Sequence, residues 1–127
     1  ELTRANRWRL ERAWREIYAR ATFLRTGKWR IPDCDWHVFS FGDALCKSGA
    51  KAYELYQLES PSVFCVWPED QKLPIFLCTG GSHLPLAVLQ DDIHVFSNDL
   101  AWTMAFTHEF SIGLGPYFAR REWQPQP

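Results

Sequence analysis

The first part of the chain carries apolar residues at the three-and-four spacing of an amphipathic helix. Arginine and glutamate fill most of the positions between them over residues 2–26. This period is typical of a helix that buries one face. The apolar face comprises Leu10, Ala13, Trp14, Ile17, Tyr18, Ala21 and Leu24. The pattern predicts one helix that stops at Gly27, since glycine favours the left-handed conformation at a helix end. Trp8 and Phe23 lie off this face and are candidates to cover a neighbouring element or a partner.

A short aromatic segment and a second helical pattern follow. Residues 36–41 are mostly aromatic and aliphatic, which predicts a strand or extended segment. Asp43 is a suitable N-cap residue for a helix that runs to about Leu58. The residues expected to face inward from this helix are Leu45, Ala52, Leu55 and Tyr56.

In the second half of the chain the apolar period changes to two, as in strands. Residues 62–67 and 73–79 are apolar on both faces, which predicts two central strands joined by a turn at 68–70. Glycines and Ser82 make the next polar loop at 80–82. Residues 84–89 are compatible with a short strand, and the pattern leaves that assignment open.

The clearest hairpin joins residues 92–97 to residues 100–107. Asn98 and Asp99 tolerate the positive φ of a tight turn, so opposed residue numbers should sum to 197. A terminal strand is expected at 117–121. One face of the hairpin then collects Ile93, Val95, Trp102, Met104 and Phe106 as a core face.

These elements predict an α+β fold with two N-terminal helices packed on an antiparallel sheet of about five strands. The 127 residues, 46% of them apolar and 23% charged, fit one globular domain and exclude a disordered chain. No apolar run is long enough to cross a bilayer. The domain divides into a basic helix (1–30), the aromatic strand and second helix (31–60), the sheet (61–121) and a tail (122–127).

Charge is unevenly distributed along the chain. Residues 1–30 hold nine basic residues against three acidic ones, whereas residues 31–119 hold three basic residues against eleven acidic ones. The preferred interpretation is that the basic helix packs on its own acidic body. Glu11 and Glu16 interrupt the basic stretch, which argues against a nucleic-acid partner.

The four cysteines form no metal-binding or disulfide pattern. They lie far apart at Cys34, Cys46, Cys65 and Cys78, with no close Cys-His pair. If the hairpin of 62–67 and 73–79 pairs residues that sum to about 140, Cys65 and Cys78 point to opposite faces of the sheet. We therefore predict reduced, mostly buried thiols, no metal and no cofactor, and a cytoplasmic protein.

The strongest candidate for chemistry is His108 beside Glu109. A histidine next to a carboxylate suits acid–base chemistry or metal ligation, with His37 or His94 assisting. The pair can cooperate only if the strand ends at Thr107, because neighbours in a strand point to opposite faces. The same alternation disfavours a His94–His108 metal pair. The competing interpretation is structural: His108 bonds a backbone group and Glu109 caps a turn.

Aromatic residues are abundant, with seven Trp and nine Phe. Most are expected in the core. Trp29, Trp36 and Trp123 fall in or beside irregular segments, where they either anchor a protein interface or fix the termini to the body. The sequence leaves both interpretations open.

Motifs spread over residues 36–118 resemble a bacterial family, domain of unknown function 4275. The resembling residues are Trp36-His37-Val38-Phe39-Ser40, Gly49, Ala52, Asp99, Trp102-Thr103, Thr107-His108-Glu109 and Gly115-Pro116-Tyr117-Phe118. The resemblance covers residues 36–121 and implies a bacterial, single-domain protein. It names no catalytic residue, and it suggests that the segment from Trp102 to Phe118 is the defining surface.

The function predicted from these features is that of a small non-enzymatic protein-binding domain. One candidate is an immunity or antitoxin-type protein whose acidic, aromatic-rich body masks a basic toxin surface. The residues predicted to bind the partner are Trp36, Asp91, Asp92, Asp99, Trp102 and Tyr117. The alternative is a hydrolase or metal-dependent enzyme centred on His108 and Glu109 with His37. Self-association of the basic helix with the acidic face of a second copy is a third possibility.

Overall fold

In the part of the chain that the structure describes, six strands form one antiparallel sheet at the centre of the fold. The computed structural model describes residues 4–31, 34–59, 63–70, 72–79 and 92–125. The strands are β1 (Lys47–Ser48), β2 (Val63–Pro68), β3 (Phe76–Thr79), β4 (Ile93–Ser97), β5 (Trp102–Phe106) and β6 (Tyr117–Arg120). Their spatial order is β1-β6-β5-β4-β2-β3.

Among the described residues, four α-helices accompany the sheet, and this combination confirms the α+β prediction. They are α1 (Arg4–Tyr18), α2 (Arg20–Thr26), α3 (His37–Ser40) and α4 (Gly49–Leu58). Two 3₁₀ helices, Phe110–Ile112 and Arg121–Trp123, flank β6. None of the described helices is both long enough and apolar enough to cross a membrane.

The first helix packs on one face of the sheet through buried aromatic residues. Trp14 and Tyr18 share a core cluster with Trp67 and Phe96. The indole of Trp14 donates to Thr103 Oγ1 at 3.0 Å, and the hydroxyl of Tyr18 donates to the Leu100 carbonyl at 2.9 Å. These bonds satisfy the polar atoms that burial would otherwise leave unpaired.

Helix α4 covers the opposite face. Ala52 and Tyr56 are its buried residues. They pack in a second cluster that contains Val95, Trp102, Met104, Phe106 and Phe118. The predicted core face of the hairpin is therefore confirmed, and it lies under α4.

Both hairpins are shifted by two residues from their predicted registers. Ile93 pairs with Phe106, so opposed numbers sum to 199. The loop is longer than a two-residue turn, and Leu100 has a φ of 63° there. Cys65 pairs with Leu77 instead of Ile75. An even shift leaves every side chain on its predicted face, so Cys65 and Cys78 do lie on opposite faces, and all four cysteines are free.

Three predicted elements are wrong in extent or type. The helix over 2–26 breaks at Ala19, although Gly27 does end α2 in the left-handed conformation. Residues 36–41 form a turn and α3 instead of a strand, because Val38 N–H and Phe39 N–H donate back to residues 35 and 36. Residues 73–79 do not form a central strand, since β3 is an edge.

The second helix also begins later than predicted. Asp43 does not cap it, because this carboxylate accepts from Thr22 at 2.5 Å and from Arg25 at 2.7 Å. Helix α4 starts at Gly49, whose N–H donates to the carbonyl of Pro116. Leu45 therefore lies outside the helix and is exposed. The possible strand at 84–89 and the loop at 80–82 lie outside the described residues.

The basic N-terminal helices pair with the acidic body, as the charge distribution predicted. Arg15 forms a bidentate salt bridge with the buried carboxylate of Asp35: its Nε and Nη2 atoms donate to Oδ1 and Oδ2, each at 3.1 Å. Arg25 of α2 pairs with Asp43. Paired charges of this kind fix α1 and α2 to the segment between residues 34 and 43.

Candidate functional site

Trp36 holds two carboxylates together at one end of the sheet. Its backbone N–H donates to Glu69 Oε1 at 3.2 Å, and its indole N–H donates to Asp92 Oδ1 at 2.9 Å. Glu69 N–H in turn donates to the backbone carbonyl of Asp92 at 2.9 Å. The two acids follow β2 and precede β4, which are neighbouring strands, so the sheet brings them together.

Each carboxylate also holds a histidine. His108 donates its backbone N–H to Asp92 Oδ1 at 3.0 Å, and its ring Nδ1 lies 2.8 Å from Asp92 Oδ2. Glu69 Oε1 lies 2.6 Å from His94 Nε2. His94 is buried among Trp14 and other aromatic rings, whereas the side chain of His108 is 56% exposed.

The charges of this cluster favour a protonated His108. The hydrogen bond to Asp92 raises the pKa of His108, and the negative charges of Asp92 and Glu109 add to that effect. Burial acts to raise the pKa of Asp92, but the hydrogen bonds and charge of His108, with the indole N–H of Trp36, lower it overall. At neutral pH the pair is therefore poised toward an imidazolium–carboxylate ion pair.

The neighbouring thiol is not activated. Burial first, then the charges of Asp92 and Glu69, raise the pKa of Cys34 to about 12. Its sulfur lies 3.7 Å from Asp92 Oδ2 and acts as a weak donor. Cys34 is thus a thiol at neutral pH and does not supply the thiolate that nucleophilic chemistry requires.

His108 and Glu109 do come together. Strand β5 ends at Phe106, one residue earlier than the prediction required, and the chain turns before His108. His108 Nε2 then lies 3.8 Å from Glu109 Oε1. The structural alternative was wrong about the partner of the ring, which is the carboxylate of Asp92 and not a backbone group.

The other histidines are not joined to this pair. His37 contacts Ser40 Oγ at 2.8 Å through Nδ1, and its ring stacks on Trp36 and Phe41. His94 contacts Trp14 on one face of the sheet. Strand alternation assigns His108 to the other face, with Met104 and Phe106, as predicted. Among the described residues no group of three or more His, Cys, Asp or Glu side chains could hold a metal ion.

The residues predicted to bind a partner are mostly inside the molecule. Trp36 is fully buried, and Trp102 and Tyr117 are each 5% exposed, which argues against a role as partner-binding anchors. Asp99 accepts from Ser97 Oγ at 2.7 Å within its own turn. Asp91 lies outside the described residues, and Asp92 forms the centre of the cluster.

Other aromatic residues do line a surface: Trp8 on α1 is exposed, and Trp29 in the segment after α2 is half-buried. Trp8 is 58% exposed, and the guanidinium of Arg12 lies 5.4 Å from its ring centroid. Trp29 stacks on Phe23 with ring centroids 4.4 Å apart, which fixes its indole. Together they form a groove of about 390 Å³, lined by Trp8, Arg12, Arg15, Glu16, Trp29 and Arg30. We call it the α1 groove.

Sequence reasoning singled out Trp8 and Trp29 of the α1 groove, and Phe23 on which Trp29 stacks, but not the groove itself. Trp8 and Phe23 were visible because they depart from the apolar face of the helix, and Trp29 because it falls in an irregular segment. Their convergence depends on the turn after Gly27, which carries Trp29 back onto Phe23. No spacing rule along the chain encodes that return.

Titration of His108 tests the ion pair with Asp92. We expect its pKa in the folded protein to lie above the ordinary 6.5, and Asp92→Asn to return it toward 6.5 because the carboxylate charge is removed. The His108 pKa is raised, so its contribution to stability is complete below pH 6.5 and fades as pH rises through the raised pKa. The Asp92 pKa is lowered, so its contribution fades as pH falls through a value below 3.8.

The measurement is an NMR pH titration of the imidazole carbons of His108. Asp70→Asn is the control, because Asp70 is exposed and, among the described residues, its carboxylate bonds only Lys72 N of its own turn. A His108 pKa at or below 6.5, or one that Asp92→Asn leaves unmoved, would contradict the ion pair.

Comparison with known proteins accounts for most of the chain. The model of the family described as Domain of unknown function (DUF4275) matches residues 14–118. This span includes the last five residues of α1, which the sequence resemblance over 36–121 did not cover, and the whole cluster around Trp36. No curated protein and no solved structure matches the chain. Because the match covers well over half of the sequence, the chain belongs to the DUF4275 family.

Proposed function

We propose that the chain is a non-enzymatic protein-binding domain that engages its partner through the α1 groove. The observation that supports this proposal is the pairing of an exposed indole, Trp8, with Arg12 and a fixed second indole, Trp29. Tryptophan and arginine are the residue types that most often supply the binding free energy of protein interfaces. Here both types line one concave surface.

The charges on the surface favour an acidic partner. Asp35, Asp43 and Asp92, which the acidic body would need for a basic partner, accept hydrogen bonds within the chain. Arg30 is exposed in the α1 groove and has no ion-pair partner among the described residues. The partner surface that complements the α1 groove therefore carries carboxylates.

This choice of surface replaces the basic partner predicted from the sequence with an acidic one. An immunity or antitoxin role stays a prediction, as does the enzyme centred on His108 and Glu109. Within the described residues Asp92 orients the imidazole of His108, but His37 contacts Ser40 and does not join His108, which is why binding is the function we propose.

Affinity capture with matched variants tests the proposal. Wild-type protein, Trp8→Ala and Leu58→Ala are immobilised and exposed to host lysate in low and high salt. Leu58 is a suitable control because it is exposed, apolar and located on α4, away from the α1 groove. We expect one stoichiometric protein that is bound less at high salt, is retained by Leu58→Ala, and is bound about 30-fold more weakly by Trp8→Ala.

Two results would overturn the proposal. One is a partner that Trp8→Ala retains as well as the wild-type protein, because binding would then occur on another surface. The other is a column that captures nothing in either salt, with circular dichroism showing that the immobilised chains are folded.

A further inference from the structure

Among the described residues that line the α1 groove, Arg30 carries the unpaired positive charge. Three arginines and one glutamate line this groove. Arg15 is engaged by its bidentate bonds to the buried Asp35, and Arg12 donates through Nε to Glu16 at 3.1 Å. Arg30 is exposed, and no described carboxylate forms an ion pair with it. The charge that the groove offers to a ligand is therefore concentrated on one guanidinium.

The two indoles of the groove are each contacted on one face and keep apolar surface for a ligand. The guanidinium of Arg12 lies 5.4 Å from the ring centroid of Trp8. Trp29 stacks on Phe23 with the two ring planes 9° apart. Trp8 is nonetheless exposed and Trp29 is only half-buried. Because the stack on Phe23 already orders the Trp29 ring, a ligand that packs on this ring pays less entropy for ordering it.

This arrangement argues against a cationic side chain as the ligand. Indoles commonly bind ammonium and guanidinium groups over the ring face. In the α1 groove Arg12 already holds that position on Trp8, and the charge of Arg30 repels a second cation. A large apolar side chain accompanied by a carboxylate fits instead. The apolar side chain removes indole surface from water, and the carboxylate pairs with the guanidinium of Arg30.

We infer that the α1 groove binds an aromatic side chain of the partner protein that is flanked by a carboxylate, and that Arg30 is the residue that selects for the acid. This inference rests on the proposed protein-binding function and adds the chemistry of the partner's anchor. Trp8 and Trp29 accept any large apolar side chain, because the hydrophobic effect is not directional. Arg30 distinguishes a carboxylate from an amide of the same shape, because only the carboxylate is charged.

A single unpaired guanidinium favours a peptide over a nucleic acid. Single-stranded nucleic acids also stack on aromatic rings beside arginines, but they need positive charge along the whole groove that follows their backbone. In the α1 groove Arg12 and Arg15 are already paired, and the carboxylate of Glu16 would repel a neighbouring phosphate. A peptide carries negative charge only where its sequence provides it.

Short capped peptides that differ only around one phenylalanine test the inference. The phenylalanine is flanked on both sides by aspartate, by asparagine or by lysine, and a further peptide has serine in its place between aspartates. NMR titration of isotopically labelled protein, followed on the indole N–H signals of Trp8 and Trp29, gives the Kd of each peptide. We expect the aspartate peptide to bind about threefold more tightly than the asparagine peptide, as for an exposed ion pair. The lysine and serine peptides should bind more weakly than both.

Three variants assign this preference to a residue. Arg30→Ala should bind the aspartate and asparagine peptides equally, because it keeps both indoles and removes the charge. Trp8→Ala, followed on the signal of Trp29, should weaken both peptides about tenfold and keep the preference. Lys28→Ala is the matched control, because Lys28 is an exposed cation that is not among the residues lining the groove, and it should change no Kd. Circular dichroism of each variant shows that it is folded.

The outcomes separate this inference from the proposed function. Equal Kd values for the aspartate and asparagine peptides, both weakened by Trp8→Ala, would overturn the role of Arg30 and leave the α1 groove as the binding surface. A preference that Lys28→Ala removes as fully as Arg30→Ala would also overturn it, because the basic segment as a whole would then act. Tightest binding by the lysine peptide, or by a labelled oligothymidylate, would overturn it in favour of a cationic or nucleic-acid ligand. The absence of binding by every peptide would overturn it as well, whereas the proposed function would still be decided by the affinity capture.

Discussion

Replacing Trp14 by alanine lowers the free energy of unfolding by about 3–5 kcal/mol, the usual cost of deleting a buried large aromatic side chain. Trp14 is fully buried. Its ring centroid lies 5.3 Å from those of Tyr18 and Trp67 and 4.8 Å from that of His94. Its removal leaves a cavity between α1 and the sheet and deprives Thr103 Oγ1 of its donor. Because alanine favours the helix, the loss comes from tertiary packing and not from helix propensity.

Trp8→Ala is the matched control on the same helix. Trp8 is 58% exposed, so its replacement changes the free energy of unfolding by no more than about 0.5 kcal/mol. Urea unfolding, followed by circular dichroism, measures the free energy of unfolding of both variants. If Trp14→Ala does not fold, Trp14→Phe keeps most of the packing and loses the bond to Thr103, at a cost of about 1–2 kcal/mol. Equal losses for the Trp14 and Trp8 variants would show that α1 is not packed on the sheet as described.

The packing of the sheet could be predicted because it depends on alternation. The hairpins were each assigned a register two residues away from the observed one. Ile93 nevertheless stays on the face of Met104, and Cys65 stays on the face opposite Cys78, because side chains repeat every two residues. Likewise, the repeat of 3.6 residues per helical turn makes the buried face of α1 predictable from the sequence.

The candidate site could be predicted only in part, because it is built by contacts between distant segments. The sequence placed His108 beside Glu109, and these residues are neighbours along the chain. The partner that holds His108 is Asp92, and it is oriented by the indole of Trp36 and by Glu69. No local spacing relates these positions, and the predicted strand at 36–41 would have directed Trp36 differently.

The charge distribution illustrates the same limit. The basic and acidic segments were expected to pair, and Arg15 with Asp35 shows that they do. A count of charges does not show which carboxylates form ion pairs within the chain. Because Asp43 and Asp92 form such pairs, the acidic excess of the body does not by itself produce an acidic docking surface.

Asp92→Ala is expected to lower the free energy of unfolding by about 2–4 kcal/mol, since it leaves several donors without their acceptor. Asp92 accepts from Trp36 Nε1, from the backbone and ring of His108, and from the thiol of Cys34. The indole N–H of Trp36 is fully buried and has no access to water as a replacement partner, so its loss dominates. The N-terminal end of α3 and the turn after β5 are then no longer joined.

Asp70→Ala separates this effect from the general loss of a carboxylate. Asp70 is exposed and, in the part of the chain that the structure describes, its carboxylate accepts only from Lys72 N at 2.9 Å, so its replacement costs less than about 1 kcal/mol. Urea unfolding at pH 5 and at pH 9 gives a further comparison. The wild-type protein loses stability relative to Asp92→Ala as pH rises through the raised pKa of His108, because the ion pair then loses its positive charge. A stability difference between the two proteins that stays constant over this range would mean that the Asp92–Trp36 bond acts alone and that His108 is joined to the cluster only as a neutral ring.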